Sequence, residues 1–99
     1  MSNERQRKTE ILSAALELAK TEGLAGIRRD NVAERAGVAT GLVNLHYGTM
    51  KQLRRAVVGE ALRVRDLRVI AQAMAMGDPR ALGAPEELRK AAALSIVGE

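Results

Sequence analysis

Residues 30–47 read DNVAERAGVATGLVNLHY, and the hinge inside that stretch decides the fold. Asp30 is a residue type that caps helix N-termini. Behind it Val32, Ala33 and Ala36 share one face, and Gly37 directly follows the last periodic residue. The pattern predicts a short helix that Gly37 ends. A second helical run opens at Thr40, with Val43 and Tyr47 four residues apart toward a core and Gly41, Asn44 and Leu45 turned the other way. A helix, a sharp turn and a second helix with an outward polar face is the layout of a helix-turn-helix, whose second helix enters the major groove of DNA.

Upstream, residues 9–22 carry Ile11, Ala15 and Leu18 on one line and Leu12, Leu16 and Ala19 beside it, a wide apolar stripe that predicts a scaffold helix stopped by Gly23. Leu24 and Ile27 follow as apolar plugs in a short connection that turns at Gly26. The first eight residues, MSNERQRK, are polar and read as a solvated end, frayed to about Asn3, from which Arg5, Arg7 and Lys8 could brush a phosphate backbone.

Downstream, Thr49 and Gln52 make a T-x-x-Q capping box for a further helix, whose positive end lies just past the second helix of the hinge. From Met50 toward Met76 there is no proline. Leu53, Val57, Ala61, Val64, Ala71 and Met74 form one apolar stripe, and Val58, Leu62, Val69, Ala73 and Met76 a second. One helix over that run would measure about 40 Å, with breaks near Gly59 or Arg65-Asp66 as the alternative. Met74 and Met76 read as core or interface filler. Gly77-Asp78-Pro79 and Gly83-Ala84-Pro85 are breakers. Pro85, with Glu86 and Glu87 in the first turn, opens a last helix through about Val97, its buried line Leu88, Ala91, Ala92 and Ile96. No alternating strand pattern occurs, so the expected class is all-α: a three-helix head, a long fourth helix and one or two short C-terminal helices. The expected division is a head over residues 1–48 and a helical dimerisation region over 49–99.

Composition narrows the function. The chain of 99 residues has one aromatic, Tyr47, seventeen alanines and no cysteine. Alanine-rich packing buries little area per residue, which favours a second subunit. The absence of cysteine excludes a disulfide framework and thiolate chemistry. No apolar run has transmembrane length, so no membrane partner is expected, and the cytoplasm is the expected compartment. The single His46 has no second histidine or cysteine to join in metal binding or catalysis, so packing or a phosphate hydrogen bond is its expected use. Without a nucleophile–base pair, phosphate loop or metal spacing the chain reads as a non-enzyme with no cofactor. The net charge of +4 is concentrated: residues 28–68 hold nine basic and four acidic groups, an excess of five on and just after the hinge. That is the electrostatic footprint expected of a phosphate-binding surface, a solvated helix face being the alternative for the arginine cluster taken alone.

Residues 11–53, with ILSAALELA, then EGL, then NVAERAGVATGLVNLHYGTMKQL, resemble the DNA-binding head of the TetR family of bacterial transcriptional regulators. The family pattern is I-L-x-A-A-L-x-L, a Gly, then I-A-x-x-A-G-V-S-x-G-x-L-Y-x-H-F-x-s-K-x-x-L. The resemblance implies that Arg28 and Arg29 lie near phosphates and that Thr40, Gly41, Leu42, Asn44, Leu45 and His46 form the groove-facing side of a recognition helix, with Tyr47 at its end and Lys51 near the backbone. An Asn amide can pair with N6 and N7 of adenine and a Leu or Thr methyl can lie against thymine. With no Arg or Lys between residues 36 and 50, A·T contacts are expected over guanine. Several positions depart from the pattern. Asn44 stands for a backbone-touching Tyr, Leu42 for a small polar residue, and Met50 for a phosphate-binding Lys, with Lys51 one residue along and about 100° around the helix.

The resemblance implies a homodimeric regulator, a repressor, that binds double-stranded DNA at a palindromic operator and dimerises through residues 53–97. The family carries about a hundred further residues that dimerise and enclose an effector pocket. Here 46 residues follow Leu53, too few to wall off a drug-sized cavity, so no small-molecule effector is expected. Both a truncated regulator and a compact stand-alone repressor fit that length. The alternative from another class is an all-helical protein-interaction module that keeps the head as scaffold.

Overall fold

A computed structural model describes residues 2–97 of the chain. They form seven helices and no strand among the described residues: α1 (Ser2–Glu22), α2 (Arg29–Ala36), α3 (Thr40–Tyr47), α4 (Met50–Val64), α5 (Leu67–Ala75), α6 (Pro79–Leu82) and α7 (Glu86–Val97). The all-α expectation holds. Two compact units divide the chain, residues 1–57 and 58–99, and the division falls inside α4. The first unit therefore runs past residue 48, because Leu53 and Val57, on the first half of α4, are buried members of it.

In the first unit α1 packs on α2 and α3, and α2 on α3. Ile11, Ala15, Leu18 and Ala19 of α1, Val32 and Ala33 of α2 and Val43 of α3 are buried, as the apolar stripes require. Gly23 ends α1 with φ 90°, and the chain passes through one 3₁₀ turn whose flanking plugs, Leu24 and Ile27, are buried. The N-terminus differs from expectation. Residues 3–10 are exposed, yet α1 is helical from Ser2, with Thr9 Oγ1 donating to the Arg5 carbonyl and Gln6 to the Glu10 carboxylate along its surface.

The hinge closes as the glycine requires. Gly37 takes the left-handed conformation (φ 73°, ψ 34°), its N–H points to the Glu34 carbonyl, and the Val38 N–H bonds back to Ala33 O at 3.0 Å, a Schellman closure. The start of α2 is a correction. The cap is Arg28, in extended conformation, and Asp30 lies in the first turn. Asn31 does the tying instead: its Oδ1 accepts the Arg28 N–H at 2.8 Å while its Nδ2 donates to the Gly26 carbonyl at 3.2 Å. An amide supplies donor and acceptor together, which a carboxylate cannot.

At the start of α4 the capping box forms as expected. Thr49 Oγ1 accepts the Gln52 N–H at 3.1 Å and Gln52 Oε1 accepts the Thr49 N–H at 2.9 Å. The single helix over residues 50–76 does not form. The chain stays helical through Gly59 and breaks at Arg65-Asp66, where Arg65 adopts φ 59° and the Asp66 N–H reaches back to Ala61 O at 2.8 Å. Asp66 then starts α5, its Oδ1 accepting the Val69 N–H at 3.1 Å. One turn before the break, Arg63 grips Glu60 through both nitrogens of one fork edge, at 2.9 and 2.6 Å, and that hydrogen bonding holds the Glu60 carboxyl below its ordinary pKa. Replacing Asp66 by alanine removes the cap and is expected to cost about 1 kcal/mol of stability, read as an earlier urea midpoint at unchanged slope.

The second unit is built on α5 packed against α7, with α6 against α5. Val69, Ile70, Ala73, Ala81, Leu88 and Ala92 are buried there. The two breakers act as predicted: Gly77 takes φ 80°, and Asp78 Oδ1 caps the four-residue α6 by accepting from Arg80 and Ala81 N–H groups. The buried line on α7 is shorter than expected. Leu88 and Ala92 are buried, but Ala91 is half-buried and Ile96 is 55% exposed, with Leu94 and Val97 exposed beside it. Val64 and Met76, both on the apolar stripes of the sequence, are also exposed.

Candidate nucleic-acid interface

Eight residues of α3 span about 12 Å, and only one of them, Val43, is fully buried. That one anchor sets the rotation of the helix. Thr40, Gly41, Asn44 and Leu45 are exposed, Leu42, His46 and Tyr47 half-buried. Leu45 is 70% exposed, a large apolar side chain held out from the head. The Asn44 amide makes no hydrogen bond among the described residues, so both its donor and acceptor are available outward. The outer face thus offers one amide, one threonine hydroxyl and an apolar knob, with no cation on the helix.

The cations stand around it. Arg28 and Arg29 are exposed where α2 begins and Lys51 is exposed in the first turn of α4. Arg28 and Thr40 line one open groove together with Asp30, Asn31 and Glu34, so the starts of α2 and α3 face a common space. Arg28 shares its charge with Asp30, Nε to Oδ1 at 3.4 Å, an exposed pair of little energetic weight that a phosphate can displace. Arg29 and Lys51 have no ion pair among the described residues.

His46 and Tyr47 turn inward. His46 Nε2 is buried without a hydrogen bond, and the Tyr47 hydroxyl donates to the Lys8 carbonyl at 2.8 Å. A second groove, lined by Glu4, Arg5, Lys8, Leu45 and His46, places the first turns of α1 beside the far end of α3. Arg5 and Lys8 therefore join the surface, the second of the two readings their sequence allows. The spacings of four, Glu4 to Lys8 and Gln6 to Glu10, are local signals that those turns are helical. No group of acidic, histidine or cysteine side chains suited to a metal occurs among the described residues, and no helix is long and apolar enough to cross a membrane.

An exposed helix anchored by a buried valine and opened by a glycine hinge, with Arg28 beside its start and Arg5 and Lys8 beside its end, is the geometry expected of a major-groove reader. The comparison with protein families agrees: residues 11–57 match the model of bacterial regulatory proteins, tetR family. The head is a tetR-family helix-turn-helix. The family matched over this head is one of bacterial regulatory proteins. The match ends at Val57, the last residue of the first compact unit, so the tetR-type head includes the first half of α4. No curated protein and no solved structure matches the chain. Arg5 and Lys8 lie before the matched segment.

Proposed function

We propose that the chain is a sequence-specific repressor that acts in the cytoplasm as a homodimer on a palindromic operator. The observation that carries the reading is the outward pair Asn44 and Leu45 on the recognition helix of a tetR-type head. Asn44 reads an adenine edge, and Leu45 with the Thr40 methyl lies against thymine methyls. Gly41 lets the backbone approach the bases, Leu42 and His46 close the edge of the contact, and Arg28, Arg29 and Lys51 take phosphates. The dimer forms through residues 53–97. Support comes from the large apolar side chains that the second unit leaves exposed, Met76, Leu82, Leu94, Ile96 and Val97. Two-fold symmetry then sets the recognition helices about 34 Å apart, or a multiple of it, along one face of the duplex.

The test is selection of bound duplexes from a random pool at two salt concentrations. An inverted repeat rich in A·T steps is expected. Asn44→Ala should weaken that operator by about 1–3 kcal/mol, roughly 5- to 150-fold, and relax one base position while sparing random DNA. Arg28→Ala and Lys51→Ala should instead weaken every duplex and lower the salt slope by about one each. Equal losses on operator and random DNA for Asn44→Ala would remove it from the reading face. The exposed apolar residues of the second unit favour one other reading, a protein-interaction module with the head as scaffold, and absence of DNA binding at low salt selects it.

A further inference from the structure

Residues 3–10 of α1 are exposed and precede the tetR-type match, so the family pattern does not account for how they are placed. The end of the recognition helix reaches them directly. The Tyr47 hydroxyl donates to the Lys8 carbonyl at 2.8 Å, across 39 residues, and the Lys8 ammonium stands 5.5 Å from the centre of the Tyr47 ring. A carbonyl has two lone pairs, so this bond adds to the helix's own. The family pattern has a phenylalanine here, which fills the ring site but has no hydroxyl to reach α1. With α1 pinned in this way, Arg5 and Lys8 line one groove with Leu45 and His46. Glu4 shares the groove, so it holds two cations against one carboxylate.

We propose that Tyr47 is a positioning residue whose hydroxyl latches α1 so that Arg5 and Lys8 bind a DNA backbone phosphate flanking the bases read by α3. The inference rests on the DNA-binding reading above and deepens it. Leu45 lies on the face that meets base edges, and a strand backbone borders any groove a helix enters, so cations beside Leu45 meet phosphate before they meet a base. His46 lines the groove with its Nε2 covered, so the cations that face the open space are Arg5 and Lys8.

The test measures affinity for the selected operator against salt concentration in four full-length chains: unaltered, Tyr47→Phe, Arg5→Ala with Lys8→Ala, and all three changes together. Removing both cations is expected to lower the salt slope by between one and two and to weaken operator and random DNA alike. Tyr47→Phe keeps the ring and the fold but is expected to weaken binding about 3- to 10-fold with a lower slope, and to have no further effect once Arg5 and Lys8 are gone. A Tyr47→Phe chain with the affinity and slope of the unaltered one overturns the latch. So does an equal loss in both backgrounds, which marks a direct contact or a general structural role. An unchanged slope in the double alanine chain overturns the phosphate contact whatever Tyr47 does. Absence of salt-sensitive binding by the unaltered chain is a different result and overturns the DNA-binding reading itself.

Discussion

Gly48→Ala is expected to lower the melting temperature of the head by roughly 10–25 °C. Gly48 ends α3 at φ 72° and ψ −128°, a conformation that residues with a Cβ avoid, and holding one there costs about 1–3 kcal/mol. A Cβ at this position would also run into Gln52 Oε1. That oxygen accepts the Thr49 N–H, so relieving the clash breaks the capping box that starts α4, at a further cost of about 1 kcal/mol. A 57-residue unit has roughly 3–9 kcal/mol of stability to lose, and each kcal/mol moves its midpoint by about 4–8 °C. Gly41→Ala is the control with the opposite sign. Gly41 sits inside α3 with nothing within 4 Å of where a Cβ would stand, so alanine there should raise stability by about 0.5–1 kcal/mol. Thermal melts of the two variants that move together would show that backbone conformation at Gly48 is not what limits the head.

Ile70→Asp is expected to unfold the second unit outright. Ile70 is 0% exposed, and an aspartate there places a carboxylate among apolar neighbours in the unit formed by α5 and α7. An unpaired buried charge costs several kcal/mol, and the lost isoleucine burial about 1.5–3 kcal/mol more. By the same scaling, 42 residues supply only roughly 2–6 kcal/mol. Amide protection should vanish from α5 and α7. On the proposed reading the consequence reaches DNA: the chain should sediment as a monomer and bind an inverted repeat no better than a single half-site. A variant that loses protection in α5 and α7 yet stays dimeric would place the dimer contact outside the second unit. Ile70→Val, expected to cost about 0.5–1.5 kcal/mol, should leave assembly intact.

The parts of the fold that are legible in the sequence are those where one residue type has one physical use. Gly37 marks a left-handed turn that only glycine takes without penalty, Thr49 and Gln52 need only each other to form a box, and the three-to-four periodicity of α1 needs only a partner face. The cap of α2 is illegible for a definite reason. Asp30 has the stronger local preference, but the 3₁₀ turn brings the Gly26 carbonyl within reach of Asn31, which also accepts the Arg28 N–H, and helical periodicity does not encode that turn. The break at Arg65 is only one of two alternatives in the sequence because arginine gives no hint that it will take a positive φ, and the apolar period continues on both sides. Ile96 has the spacing of a buried residue, whereas burial depends on whether a neighbour covers that end of the helix, which spacing does not encode.

The reading face divides in the same way. Asn44 and Leu45 follow from helical phase once Val43 is known to be the anchor. Arg5 and Lys8 do not, since a charged end looks alike in sequence whether solvated or pinned, and the pin is a tyrosine 39 residues away.

That tyrosine gives the molecule an optical asymmetry. With no tryptophan and one tyrosine in the whole chain, all absorption near 280 nm and all intrinsic ultraviolet fluorescence come from the first compact unit, at the contact between α1 and α3. The second unit is dark at those wavelengths. A fluorescence melt therefore records the head alone while a far-ultraviolet dichroism melt sums both units, and subtracting one from the other separates their unfolding without a label.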